Sequence, residues 1–111
     1  MLGKSDLRVS RIALGGWQFG SQAWGLRDSE VIKEIIKAAL DNGINFIDTA
    51  EGYGDGFSEK IIGETIREIT DRDEVIIATK VSPSHLKYGD ILKSLSKSLE
   101  RLQTTYIDLY Q

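Results

Sequence analysis

The sequence of 111 residues contains no cysteine and a single histidine. The first absence excludes disulfides, thiolate catalysis and thiolate-ligated zinc or iron–sulfur centres, and the second leaves little from which to build a transition-metal site. No apolar run approaches the length that crosses a bilayer, and Met1-Leu2-Gly3-Lys4-Ser5-Asp6 lacks the apolar core of a secretory signal. The sequence therefore predicts a cytoplasmic protein with no membrane partner. Charge of one sign is missing as well: 14 basic residues are interspersed with 17 acidic ones. No basic patch would steer the chain to a phosphate backbone, and nucleic acid is not an expected partner. A hydrophobic fraction of 41% beside 28% charged residues is that of one ordinary globular domain rather than a disordered chain. Demanding chemistry must come from a bound cofactor or from acid–base groups.

What is present is a repeating alternation of short apolar runs and amphipathic stretches. Val9 to Leu14 reads as a strand that breaks at Gly15-Gly16, and a loop rich in glycine and aromatics follows from Trp17 to Arg27. A helix comes next, capped by Asp28 or Ser29. Its apolar residues Val31, Ile32, Ile35, Ile36, Ala39 and Leu40 recur at helical spacing, and Gly43 is a fitting left-handed terminator. Ile44 to Ile47 is a strand leading into Asp48. Tyr53 to Gly56 is too glycine-rich for regular structure, so the second helix is expected from Ser58 to about Ile69, followed by a solvated turn over residues 70–74. Val75 to Ala78 is a near-continuous apolar strand with Lys80 at its end. A third helix carries the stripe Ile91, Leu92, Leu95, Leu99 and Leu102, read as core packing, and Tyr106 to Tyr110 is a fourth strand.

Strands alternating with helices call for a parallel α/β sheet with right-handed crossovers. The glycine fingerprint of an open dinucleotide-binding sheet is not met: Gly52 and Gly54 begin it, but Phe57 stands where the third glycine should be. Polar residues at the ends of successive strands instead suit a (β/α)8 barrel, of which about three and a half units are present. There Asp48 and Lys80 would end neighbouring strands on one face, with Tyr53 brought over them by its loop. Tyrosine is ordinarily a sluggish proton donor at neutral pH. A nearby ammonium stabilises the phenolate, and a carboxylate keeps that ammonium charged and in place. Tyr53 thus becomes a candidate general acid for an oxygen that gains negative charge as a carbonyl is reduced. The economical hydride source is a nicotinamide cofactor. Taken singly, Asp48 reads as a turn residue, Tyr53 as a loop aromatic, Lys80 as a solvated strand terminus and His85 as a surface-loop histidine. The joint placement of the first three makes the site. Trp17 and Trp24 either cover the strand ends or, with Tyr53, wall a pocket for a small carbonyl substrate.

From about Leu7 to Gln111 the sequence resembles the N-terminal part of an aldo-keto reductase. The resemblance is carried by Gly15-Gly16-Trp17-Gln18-Phe19-Gly20, by Gly43 through Gly54, by Ser58-Glu59, by Ala78-Thr79-Lys80-Val81, and by Ser98 to Leu102 leading into Asp108-Leu109-Tyr110-Gln111. It implies a partial TIM barrel and an NADPH-dependent reductase of aldehydes or ketones. Tyr53 would be the proton donor, Asp48 and Lys80 its partners, and Gly16, Trp17 and Asp48 would lie near the nicotinamide. The family's catalytic set also includes a histidine beyond the fourth strand, which residues 1–111 do not reach. His85, in the loop after the third strand, does not stand in for it. Residues 1–111 are thus expected to be a truncated N-terminal half-barrel, inactive by itself, with open edges on its first and last strands. Those edges call for a second copy or a complementing fragment. The alternatives are a non-catalytic assembly or regulatory module, and a lyase forming a Schiff base through Lys80.

Overall fold

In the computed structural model, which describes residues 1–21 and 25–111, three helices and four short strands follow from local signals. The first helix, α1 (Ser29–Asp41), starts where the Asp28 carboxylate accepts the N–H groups of Glu30 and Val31 at 3.0 and 3.3 Å. It ends at Gly43, whose φ of 79° is the left-handed stop expected of a glycine after a helix. Helix α2 (Phe57–Ile69) has no side-chain cap and is entered through a 3-10 turn at Tyr53–Gly56. Helix α3 (Tyr88–Leu102) follows another 3-10 turn, at Pro83–His85.

The strands β1 (Leu14–Gly15), β2 (Phe46–Asp48), β3 (Ile76–Thr79) and β4 (Leu109–Tyr110) form one sheet in that order, every neighbouring pair parallel. Ile47 is the pivot of the register, opposite Leu14 on one side and Ile77 on the other. Ile47 and Ile77 are fully buried together with Ile32 and Ile36 of α1 and Ile62 of α2. Burying an aliphatic side chain of this size is worth about 1.5–3 kcal/mol, so this isoleucine cluster is what holds helices to sheet and aligns the strand ends.

Four expectations from the sequence are corrected. The strand expected over 9–14 is a ladder only at Leu14–Gly15. Upstream, the Asn45 side chain takes the backbone partners that a ladder would use, accepting the Ser10 N–H at 2.7 Å and donating to the Arg8 carbonyl at 2.9 Å. The last strand is likewise shortened to Leu109–Tyr110, because the Asp108 carboxylate accepts the Ile77 N–H at 2.9 Å and Arg72 donates to the Tyr106 carbonyl at 3.1 Å. Arg72 is therefore no member of a solvated turn. It also pairs with Asp108 at 2.7 Å and stacks 4.1 Å from the Tyr106 ring centroid. Finally, the deepest residues of α3 are Ser94, Ser98 and Leu102, while Leu92 is 49% exposed. Gly63 explains part of this, for a Cβ there would lie 2.5 Å from the Leu102 carbonyl. So close a crossing of α2 and α3 admits only small side chains.

Candidate active site

Because β2 and β3 are parallel neighbours with Asp48 opposite Ala78, their C-terminal ends open on one side. Backbone bonds continue the pairing past the strands, Thr49 N–H to the Ala78 carbonyl at 2.8 Å and Glu51 N–H to the Lys80 carbonyl at 3.2 Å. Lys80, just after β3, is thereby delivered to the loop that follows β2. Its Nζ donates to Asp48 Oδ2 at 2.7 Å, to the Thr49 carbonyl at 2.8 Å and to the Tyr53 hydroxyl at 3.2 Å. The ammonium also lies 4.9 Å from the Tyr53 ring centroid. The three residues anticipated from the sequence thus share one cluster, each half-buried.

Burial works against the charged form of Lys80, but its hydrogen bonds to Asp48 and Tyr53 and the charges of both outweigh it, raising the pKa above the ordinary 10.5. Lys80 is an ammonium throughout the neutral range. A fixed cation beside a phenol is an arrangement that stabilises the phenolate left when the proton is given away.

Gly16 reaches the same place through its backbone. Its N–H donates to the Asp48 carbonyl at 2.8 Å, and its carbonyl accepts the Ser58 hydroxyl at 2.8 Å. Ser58 lies 2.8 Å from Thr49 Oγ1 in turn. A Cβ at Gly16 would come within 2.6 Å of Ser58 Oγ, so the position is closed to any side chain. The next residue, Trp17, is 45% exposed and shares a groove of about 290 Å³ with Gly20, Ser21, Arg27, Gly52 and Tyr53. Trp24 lies outside the described residues. Among the described residues no group of acidic and histidine side chains could hold a metal ion, and no helix is long and apolar enough to cross a membrane.

Sequence reasoning missed a second polar cluster beside the first. Glu51 Oε1 accepts the Ser82 N–H at 2.8 Å and lies 2.7 Å from His85 Nδ1. Ser94 Oγ lies 3.4 Å from that same ring nitrogen. Since acid and hydroxyl meet one nitrogen rather than opposite sides of the ring, the trio is no serine–histidine–acid relay. Burial pushes the Glu51 carboxyl up, but the Ser82 backbone N–H, His85 and the Ser82 and Ser94 hydroxyls together hold it at about 2. His85, read as a plain surface residue, is half exposed yet bonded in this way. Beneath lies the fully buried Glu59, held by Arg101 and by the Thr79 hydroxyl. Tyr110 is also near: its hydroxyl is buried without a hydrogen-bond partner among the described residues. Burial, with Glu51 and Glu59, raises its pKa against the opposing pull of Arg101. The only sequence signal for this cluster was the position of Glu51 between Asp48 and Tyr53.

Comparison with known proteins gives the arrangement a context. The profile of the aldo/keto reductase family matches residues 11–111. Aldo-keto reductase YhdN of Bacillus subtilis is 45% identical over 115 residues, covering 96% of this chain and 35% of that protein. The crystal structure of the thermostable aldo-keto reductase Tm1743 with the inhibitor epalrestat superposes with a TM-score of 0.89 at 38% identity, over 99% of this chain and 40% of that one. An aldo-keto reductase from Klebsiella pneumoniae in complex with NADPH does so with a TM-score of 0.81 at 37% identity, over 92% of this chain and 34% of that one. The chain spans about a third of the length of the curated relatives it matches, and its four parallel strands are a partial barrel of their kind. Every element that positions Asp48, Tyr53 and Lys80 lies within the matched residues, and the chain belongs to the aldo/keto reductase family.

Proposed function

We propose that this chain carries the proton-donating part of an NADPH-dependent reductase that converts an aldehyde or ketone to an alcohol. The observation that carries the reading is one ammonium, Lys80, bound at once to the Asp48 carboxylate and the Tyr53 hydroxyl. Asp48 holds the cation, the cation faces the phenol, and Tyr53 gives its proton to the substrate oxygen. The alkoxide that would otherwise form is neutralised as it develops, which is where an enzyme gains most from a fixed charge.

The groove beside Tyr53 is open and walled by the flat Trp17 and by the backbone of Gly20, Gly52 and Gly54, which suits a planar ring. Gly16, Trp17 and Asp48 would hold the nicotinamide end of NADPH, and Trp17 and Tyr53 would flank the carbonyl substrate. The cofactor supplies the hydride. The NADPH complex of the Klebsiella relative supports the choice of cofactor.

The proposal extends to assembly. Residues 1–111 form the N-terminal half of the barrel, and its edge strands β1 and β4, each bonded to one neighbour among the described residues, take further strands from a complementing segment or a second copy. A compact monomer of the isolated chain on size exclusion, with no apolar dye bound, would contradict this.

The direct test is NADPH-dependent reduction of an aromatic aldehyde by the full protein that carries this sequence. Tyr53→Phe is expected to lower kcat by roughly 10²- to 10⁴-fold. Unchanged turnover in that variant overturns the assignment.

A further inference from the structure

Glu51 lies between Asp48 and Tyr53, and both its backbone and its side chain are tied to the segment that carries Lys80. Its N–H donates to the Lys80 carbonyl at 3.2 Å, and its Oε1 accepts the Ser82 N–H at 2.8 Å. The same oxygen faces His85 Nδ1 at 2.7 Å. The His85 N–H returns to the Ser82 carbonyl at 2.9 Å, closing the turn Pro83–His85 against the carboxylate. From α3, Ser94 Oγ reaches the ring nitrogen at 3.4 Å. Three segments therefore meet on one carboxyl group: the Tyr53 loop, the loop after β3 and the second turn of α3.

Tyr53 stands two residues beyond this tie, in a single 3-10 turn where Gly54 and Asp55 have left-handed backbones, φ 60° and 55°. Neither a strand nor an α-helix sets the direction of its phenol, yet the hydroxyl must stay 3.2 Å from Lys80 Nζ. A misplacement of about 1 Å at a reacting group costs on the order of 10² in rate. Between Asp48 and Tyr53 the loop is pinned at Thr49, by the Ala78 carbonyl, Lys80 Nζ and Ser58, and again at Glu51, the tie to another segment that comes next before Tyr53.

We infer that Glu51 is a positioning residue, latched by the Ser82 N–H and His85, which sets where the Tyr53 hydroxyl stands relative to Lys80. The inference rests on the reading of Tyr53 as proton donor. Its chemistry is consistent with the site: a carboxyl held at about 2 stays an anion, and so a strong acceptor for both donors, throughout the neutral range. Glu51 touches neither Tyr53 nor Lys80 through its side chain, so it acts only by holding backbone.

The test uses the full protein that carries this sequence, with NADPH and an aromatic aldehyde. Glu51→Ala is expected to lower kcat about 10- to 100-fold with KM for the aldehyde changed less than about threefold. Glu51→Gln keeps an acceptor oxygen for both donors and restores most of kcat. His85→Asn, which keeps a donor near the Nδ1 position, stays close to the parent, whereas His85→Ala falls toward Glu51→Ala. Labelling tyrosine at 13Cζ reads the phenol directly: the Tyr53 resonance, assigned by its loss in Tyr53→Phe, moves in Glu51→Ala and returns in Glu51→Gln.

Retained kcat and an unmoved resonance in Glu51→Ala overturn the latch. So does lost kcat with an unmoved resonance, or equal losses in the Ala and Gln variants, for either is the mark of a merely weakened fold. If Glu51→Ala does not fold, the comparison of His85→Ala with His85→Asn decides, and identical Tyr53 resonances in those two overturn the proposal. A protein that reduces no carbonyl in any form sinks the reductase reading alone. In that case the Tyr53 resonance still decides whether Glu51 places the phenol.

Discussion

Arg101, in the last turn of α3, donates two hydrogen bonds, from Nε at 2.9 Å and Nη2 at 2.7 Å, to one oxygen of the fully buried Glu59 at the start of α2. The other carboxylate oxygen accepts the Thr79 hydroxyl at 2.9 Å, so the pair ties two helices to the end of β3. Removing the cation leaves a buried carboxylate with one hydroxyl for company. Arg101→Ala is expected to destabilise the protein by about 3–5 kcal/mol, whereas replacing both partners with apolar residues of similar volume is expected to cost far less. Urea titration of the single and double variants checks this. A single variant no less stable than the double one contradicts it.

Lys80 makes a different demand, because its partners lie at a half-open mouth rather than in the core. With side-chain exposures of 29% for Lys80 and 33% for Asp48, solvent screens the pair, and its share of stability is expected to be no more than about 1 kcal/mol. Under the proposed function, activity of the full protein is the sensitive readout: Lys80→Met is expected to lower carbonyl reduction by about 10²-fold or more, on the order of what a positioned proton-transfer group contributes. The sign of the pH effect follows from the raised pKa. A raised value gives stability that is complete below 10.5 and is lost as pH climbs through the folded value. Asp48→Asn removes the partner that raises it most, so the fall in stability above pH 10 is expected to be shallower in that variant. An equal slope in variant and parent, followed by thermal unfolding between pH 9 and 12, excludes the ion pair as its cause.

What was legible in the sequence was local. Asp28 and Gly43 announce the ends of α1 by their own chemistry, and the apolar runs at 44–47 and 75–78 mark β2 and β3 within a residue or two. The trio was legible for the same reason, since each member sits at a strand end or in the adjoining loop. What escaped were other long-range pairs, which no motif or strand-end pattern singled out. Arg72 meets Asp108 across 36 residues, Glu51 meets His85 across 34 and Arg101 meets Glu59 across 42. No periodicity encodes such pairs. Strand length failed where Asn45 and Asp108 compete for backbone partners. The leucine stripe of α3 showed that the helix is two-faced, but the depth of Ser94 and Ser98 depends on how closely α2 approaches.

That approach rests on Gly63. In a helix, glycine to alanine is ordinarily a gain of about 0.5–1 kcal/mol, yet the new Cβ would sit 2.5 Å from the carbonyl carbon and oxygen of Leu102. Those atoms are backbone, so α3 itself must move, and overpacking of this kind costs typically 1–3 kcal/mol. Gly63→Ala is expected to be a net loss of about 1–2 kcal/mol by chemical denaturation, the opposite sign from an exposed helical glycine. A stabilised variant shows that the crossing is looser than described.

Glu51 offers a test in acid. Its carboxyl titrates at about 2 in the folded protein against an ordinary 4.5. A depressed value gives stability that is present above the unfolded pKa and drains away as pH falls through the folded one. The window is therefore about pH 4.5 down to 2, where the Ser82 N–H and His85 lose their anionic acceptor. Glu51→Gln cannot titrate, so its stability deficit relative to the parent is expected to be constant above pH 4.5 and to shrink steadily below it, nearly vanishing by pH 2. Paired urea titrations at pH 6, 4, 3 and 2 measure the gap. A deficit of the same size at pH 6 and at pH 2 means the carboxylate charge contributes nothing to the hold on the Ser82 N–H.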